Sequence, residues 1–221
     1  MVEHDLAARG VTDRRVLAVM ADLPRERFVP AAMAELAYDD APLPIAAGQT
    51  ISQPFIVAVM AEAAEVTGTD RVLEGGAGSG YGAAVLGRLA AEVWSVERHH
   101  VLVAEARANL AGLGIGNVQV GEGDGTLGWP AAAPFDAIVV TAGAPVVPDA
   151  LGVHLAVGGR LIIPVGAHQP DQQLLRVRRI GGVAVREDLG PVRFVPLVGA
   201  AGWPQAENNA GDHGSENARN G

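Results

Sequence analysis

The sequence contains no cysteine, which excludes disulfides, thiolate metal sites and a cysteine nucleophile. Aromatic residues make up only 4% of the chain, against 29 glycines, so packing should rest on small side chains. Positive charge is also scarce. The formal net charge is −9, whereas a nucleic-acid substrate normally meets a basic face. RNA or DNA is therefore not expected as a partner, unless a local basic patch survives. No apolar run approaches the length of a membrane span, so no membrane partner is expected. The first residues, with Glu3, His4 and Asp5, lack the apolar segment of a secretory signal. A cytoplasmic enzyme is the expectation. What the chain does have is apolar character, 49% of 221 residues. That is enough for the full core of one domain with some extra at each end.

The stretch that organises the chain runs Val72-Leu73-Glu74-Gly75-Gly76-Ala77-Gly78-Ser79-Gly80-Tyr81. A short apolar run ends in an acid, small residues follow, and an alanine-rich helical pattern begins at Tyr81. Strand, glycine turn and helix together open a nucleotide-binding α/β unit, because glycine lets the backbone approach a ligand and tolerates positive φ. Gly76, Gly78 and Gly80 give G-x-G-x-G, with Tyr81 where a dinucleotide fingerprint wants its third glycine. The next strand, Val93 to Val96, ends in Glu97, about 20 residues on, where an acid can accept ribose hydroxyls. This combination looks like the S-adenosyl-L-methionine (AdoMet) site of a Rossmann-like methyltransferase. The competing reading is a glycine turn with an unrelated surface glutamate.

Before this unit, residues 1 to 37 read as two or three short helices, a packing layer without evident chemistry. Thr12 is the expected N-cap of a helix from Arg14 to Met20, and Pro30 can open a further turn. Tyr38 to Gln53 is a proline-stiffened loop, and a helix is expected after Pro54. Ser52 then stands at the N-cap position, so capping and an active-site role are both open for it. After the unit, His100 to Leu110 is a helix. His99 and His100 are adjacent and do not share a helix face, so no metal site is expected there. Asn117 to Val120 is a third strand leading into Gly121-Glu122-Gly123-Asp124-Gly125. There Asp124 can meet an adenine amino group or serve as an ordinary turn aspartate. Phe135 to Val140 is a fourth strand, with Thr141 to Pro145 the loop at its ligand end. A helix from Pro148 to Ala156 should stop before Gly158-Gly159, with a fifth strand from Arg160 to Val165. Gln172 to Arg179 and Val183 to Glu187 form a hairpin through Gly181-Gly182, and Val192 to Val198 is a last apolar strand. From Pro204 the sequence reads as a disordered polar tail, leaving residues 1–203 as a single methyltransferase domain.

Several of these segments together resemble the bacterial protein-L-isoaspartate O-methyltransferases. They are Pro24-Arg25-Glu26-Arg27-Phe28-Val29-Pro30, Gly48-Gln49-Thr50-Ile51-Ser52-Gln53-Pro54, Leu73 to Tyr81, Gly123-Asp124-Gly125, Gly128-Trp129-Pro130, Gly158 to Gly166 and Val192 to Leu197. The Gly-Gln-Thr-Ile-Ser-Gln-Pro segment is specific to that family, whereas the glycine turn is shared with most AdoMet methyltransferases. The resemblance implies a seven-stranded, doubly wound α/β sheet with a C-terminal antiparallel hairpin and a helical N-terminal layer. It implies methyl transfer from AdoMet to the free α-carboxylate of isoaspartyl residues in proteins or peptides. Carried over by position, Ser52 is the active-site hydroxyl, and Thr50 and Ile51 belong to the loop over cofactor and substrate. Glu74, Gly76, Gly78, Ser79 and Gly80 form the cofactor turn, Glu97 is the ribose acid, and Asp124 with Gly125 is the adenine loop. Gly75, Ala77 and Gly82 depart from the family pattern without removing a group the chemistry needs.

The chemistry suits what the sequence lacks. A carboxylate with a pKa of about 4 is ionised at neutral pH and needs no general base. Holding the reactants in line and excluding water is sufficient, and Ser52 has no His–Asp relay that would make it a nucleophile. The ester formed would cyclise to a succinimide, giving repair of damaged sites. Three other readings compete: methylation of an aspartate in one dedicated peptide, a non-catalytic AdoMet-binding scaffold, and an NAD-linked oxidoreductase. Intact Ser52, Glu97 and Asp124 disfavour the second, and Tyr81 the third.

Overall fold

Val72 and Leu73 lie on opposite faces of one strand and both are buried, so this strand must be covered on both sides. In the computed structural model, which describes residues 1–168 and 171–205, it is the central strand of a seven-stranded sheet. The strands are β3 (Arg71–Gly75), β4 (Glu92–Glu97), β5 (Val118–Glu122), β6 (Phe135–Val140), β7 (Leu155–Val165), β8 (Gln172–Ile180) and β9 (Val183–Val192), in the order β5-β4-β3-β6-β7-β8-β9. The pairs from β5 to β7 are parallel. The hairpin β8–β9 extends the sheet antiparallel. A separate two-stranded ribbon joins β1 (Leu43–Pro44) to β2 (Thr50–Ile51). The strand order reverses at β3, with β4 on one side and β6 on the other, and that crevice is where such sheets bind ligands.

Helices α1 (Arg14–Asp22), α2 (Pro54–Ala63), α3 (Tyr81–Leu89) and α4 (His100–Gly112) cover one face, packing on Val72, Val93, Val120, Ala137 and Val139. The other face carries Leu73, Trp94, Ile138 and Leu161 under the short helix α5 (Asp149–His154) and the segment around Leu197. Alternation along each strand thus feeds two cores from one sheet.

Four local expectations need correction. The N-cap of α1 is Asp13, whose carboxylate accepts from Arg15 N at 2.8 Å. Thr12 instead gives its N–H and hydroxyl to Glu62 of α2, at 2.7 and 2.9 Å, tying the N-terminal layer down. Pro30 precedes the 3₁₀ turn Ala31–Leu36 at its cap position rather than entering it. Helix α5 ends at His154, and β7 begins at once with Leu155 opposite Phe135. Gly158, at φ 82°, and Gly159 lie inside that strand, where the register slips before Ala137 meets Arg160. They absorb a bulge instead of ending a helix. Finally, β9 runs to Val192, and among the described residues no strand follows it. Pro196 can donate no hydrogen bond, and residues 194–198 cross the strand ends, held by Gly143 N to Val195 O and Leu197 N to Gly143 O, each 2.8 Å. The polar tail, beyond Gln205, lies outside the described residues.

Candidate functional site

The glycine turn follows directly from β3. Gly76 has φ 100° and gives its N–H to Val96 O at 2.8 Å, and a Cβ there would stand 2.5 Å from Thr141 Oγ1. Gly80 has φ 93° and caps α3, with the Ala106 backbone and Cβ 3.1 Å from where its own Cβ would be. Neither position admits a side chain without strain. Gly78, also at positive φ, turns its N–H onto Glu97.

Two acids converge beneath this turn. Glu97 ends β4 and is only 6% exposed. Its Oε2 accepts from Gly78 N at 3.0 Å and its Oε1 from His99 N at 2.9 Å. Each oxygen keeps a lone pair, so the group is oriented but not saturated. Glu74 is fully buried in β3. Ser95 of β4 donates its hydroxyl to Oε2, while Oε1 has no partner. Burial, with the Glu97 charge adding to it, pushes the Glu74 carboxyl up to about 8 against the opposing Ser95 bond. The Ser79 hydroxyl is a second buried polar group without a partner.

Ser52 lies between β2 and α2, and its place is fixed through its backbone. Arg25, 0% exposed, donates Nη2 to Ser52 O at 2.7 Å and Nε to Ala37 O at 2.6 Å. The guanidinium sits 4.7 Å from the Tyr81 ring centroid, so the cation rests on an aromatic face. The expected N-cap role of Ser52 is not observed. Gln53 occupies the cap position, Pro54 has no N–H to satisfy, and Phe55 N donates to Asp40 Oδ1 at 2.9 Å. Among the described residues no group bonds the Ser52 hydroxyl, which is left free.

Asp124 faces its own loop. Its Oδ1 accepts from Thr126 N at 2.8 Å and Thr126 Oγ1 at 2.6 Å, and its Oδ2 from Ala200 N at 2.7 Å. Burial raises its carboxyl, but the Thr126 hydroxyl and these backbone N–H groups outweigh that and hold it below the usual range. Its visible work is to tie the 197–205 segment to the loop after β5.

Most of these groups border a cavity of about 820 Å³ counting its open mouth. Thr50, Ile51, Ser52, Glu74, Gly76, Gly78, Ser79, Glu97 and Gly125 all line it, whereas Gly80 and Asp124 do not. Gly80 shapes the turn from behind, and Asp124 stands in the loop that brings Gly125 to the cavity. A second, wider groove runs from Arg9 and Phe55 to Gln173 and Arg193. Thr50, Ser52, Thr141, Val195 and Pro196 line both spaces, so Ser52 stands where they meet.

The first cavity fits AdoMet on its own chemistry. A glycine cradle, an oriented carboxylate and two unpartnered buried polar groups, one of them a carboxyl beside a second acid, suit a cationic sulfonium and ammonium ligand. Three contributors were not singled out in the sequence, although Thr141 opens the loop read there as a ligand end. Thr141 braces the turn, its hydroxyl donating to Gly76 O at 2.6 Å. Gln172 pairs with both backbone groups of Phe194, at 3.2 and 2.8 Å. Arg25 pins Ser52. Only Arg25, inside Pro-Arg-Glu-Arg-Phe-Val-Pro, stood in a recognisable motif.

Comparison with known proteins points the same way. The profile of the protein-L-isoaspartate(D-aspartate) O-methyltransferase family matches residues 1–202. A protein-L-isoaspartate O-methyltransferase of Rhodopseudomonas palustris is 60% identical over 208 residues, 94% of this chain and 95% of that protein. A Pelobacter propionicus relative of the same name is 60% identical over 204 residues, 92% of this chain and 91% of its own length. Among solved structures, a protein-L-isoaspartate O-methyltransferase superposes with a TM-score of 0.81 at 31% identity, covering 91% of this chain and 67% of that one. A Plasmodium falciparum counterpart in complex with S-adenosyl-L-homocysteine has a TM-score of 0.77 at 26% identity, covering 89% and 96%. With both its sheet and nearly its whole length matched, the chain belongs to the protein-L-isoaspartate(D-aspartate) O-methyltransferase family.

Proposed function

We infer that this protein transfers a methyl group from AdoMet to the free α-carboxylate of L-isoaspartyl residues, with Ser52 as the hydroxyl that orients the carboxylate. The observation that carries the assignment is the position of Ser52, on both cavities and with its hydroxyl uncommitted. Bound AdoMet supplies a methyl group on a positively charged sulfur that leaves as a neutral thioether. The chain's own residues do the rest. Glu97 and the Gly76–Ser79 turn would hold the cofactor, with Gly125 lining the same cavity. Thr50 and Ile51 line that cavity and would help to keep water from the cofactor. Ser52 donates to one carboxylate oxygen and aims the other at the methyl carbon. No proton is moved in forming the ester, because the nucleophile is already ionised at neutral pH.

The substrates are damaged proteins and peptides, whose methyl esters close to succinimides with loss of methanol; water then opens the succinimide, returning part of it to the ordinary aspartyl linkage. Identity that extends along 94% of this chain and 95% of a curated relative favours this repair role over methylation of one dedicated peptide. Among the described residues no helix is long and apolar enough to cross a membrane, and we place the activity in the cytoplasm. The test is single-turnover methylation of an isoaspartyl peptide beside its aspartyl twin, at saturating AdoMet. Wild type should methylate the first and spare the second. Ser52→Ala should fall by more than about tenfold in rate, the loss of an oriented hydrogen bond, with S-adenosyl-L-homocysteine affinity little changed. A folded variant at wild-type rate would remove Ser52 from the mechanism.

A further inference from the structure

We propose that Thr141 is a specificity residue that accepts a hydrogen bond from the N–H of the isoaspartyl residue, so that Ser52 and Thr141 together read the unit HN–Cα–COO⁻. The proposal rests on the function inferred above and asks how that site tells an isoaspartyl from an aspartyl residue.

Ser52 and Thr141 both line the first cavity and the wider groove, yet their hydroxyls are in opposite hydrogen-bonding states. A hydroxyl has one proton to give and two lone pairs to receive with. Ser52 has its proton free, since no group among the described residues bonds its hydroxyl. Thr141 has spent its proton on the glycine turn, with Gly76 O at 2.6 Å and Gly75 O at 3.2 Å. Its backbone N–H is committed as well, to Gly75 O at 2.9 Å. With its hydroxyl proton and its N–H both committed, Thr141 can offer a ligand only lone pairs. A ligand seated across both residues meets a donor at Ser52 and an acceptor at Thr141.

That polarity matches one feature of the damaged residue. In an isoaspartyl residue the free carboxylate and the amide N–H are attached to the same carbon. In an aspartyl residue the carboxylate is one methylene further from its N–H. A donor–acceptor pair set to the first spacing would miss the second. A site built to pair with an N–H discriminates against a ligand that cannot supply it there, because its own acceptor is left unpaired.

The competing role for Thr141 is a brace for the glycine turn, and that role is indifferent to the substrate's N–H. The experiment is a two-by-two comparison of kcat/KM: wild type and Thr141→Val, each with an isoaspartyl peptide and with the same peptide methylated on the isoaspartyl α-nitrogen. N-methylation has steric costs, but these fall on both enzymes, so the ratio of ratios is the readout. If Thr141 reads the N–H, wild type should lose at least about tenfold more than Thr141→Val on the N-methyl peptide, the loss expected for one hydrogen bond left unmade. Thr141→Ser, which keeps the hydroxyl, should restore the wild-type ratio. Equal ratios in wild type and Thr141→Val would overturn the proposal and leave Thr141 as a brace. Calorimetry with S-adenosyl-L-homocysteine checks that each variant still forms the cofactor cavity. Should Thr141→Val lose that binding, Thr141→Cys, whose thiol is a weak acceptor, carries the same comparison. Failure of wild type to methylate the unmodified isoaspartyl peptide would instead overturn the activity itself.

Discussion

Glu97 and Glu74 are both acids at strand ends, yet their surroundings give them different behaviour. Glu97 is held by two backbone N–H groups, and in the proposed function it accepts ribose hydroxyls. Losing such a charge-assisted bond costs about 1.5–3 kcal/mol, so Glu97→Ala should weaken AdoMet binding roughly ten- to a hundredfold by calorimetry. Glu74 is buried with one oxygen unpartnered, and its carboxyl is pushed up to about 8 from an ordinary 4.5. Between those values the folded chain keeps a proton that the unfolded chain has released. In the cofactor-free protein this contribution to stability is complete below about pH 4.5, falls as pH rises to about 8, and is flat beyond. Its slope is at most about 1.4 kcal/mol per pH unit. Urea denaturation at several pH values should show this decline in wild type and its absence in Glu74→Gln. The acid itself was plain in the sequence, but its protonation was not, because burial is decided by β4, β6 and α3 around it.

At the scale of elements, the start of α2 shows where local reasoning stops. The sequence placed Pro54 in the first turn and offered Ser52 as the cap. The structure supplies the bond from Asp40 instead, through Phe55 N, and Asp40 is also paired with Arg9. Asp40→Ala should therefore cost about 1 kcal/mol in unfolding experiments, as the loss of a cap does. Ser52→Ala should stay within about 0.5 kcal/mol of wild type, as substitutions away from caps and cores do. The reverse ranking would return the cap to Ser52. The limits of α5 and β7 escaped for a related reason. Gly158-Gly159 reads as a helix stop, but the same glycines permit a bulge, and only pairing with β6 selects the bulge.

At the scale of the whole molecule, the segment after β9 closes the site from the far side. Trp203 Nε1 donates to Gly143 O at 2.9 Å and Trp203 N to Leu197 O at 2.8 Å, while Asp124 holds Ala200. Truncation after Gln205 should leave the melting temperature unchanged. Truncation after Gly202, which removes both Trp203 bonds, should lower it by a few degrees, at about 2–4 °C per kcal/mol for a chain of this size; equal melting temperatures would show that the segment is not a latch. The sequence by itself determined the parallel sheet, the glycine turn, the acids Glu74 and Glu97, and the family-specific run around Ser52. These are properties of periodicity, backbone permissiveness and short motifs, all of which act over a few residues. Only the tertiary structure decided that Ser52 is pinned by Arg25 rather than used as a cap, that Asp124 ties a loop, and that Thr141 stands beside Ser52's two cavities with its proton already committed. Each of those depends on partners brought together from distant parts of the chain, and no local pattern encodes which hydrogen bonds they will leave unmade.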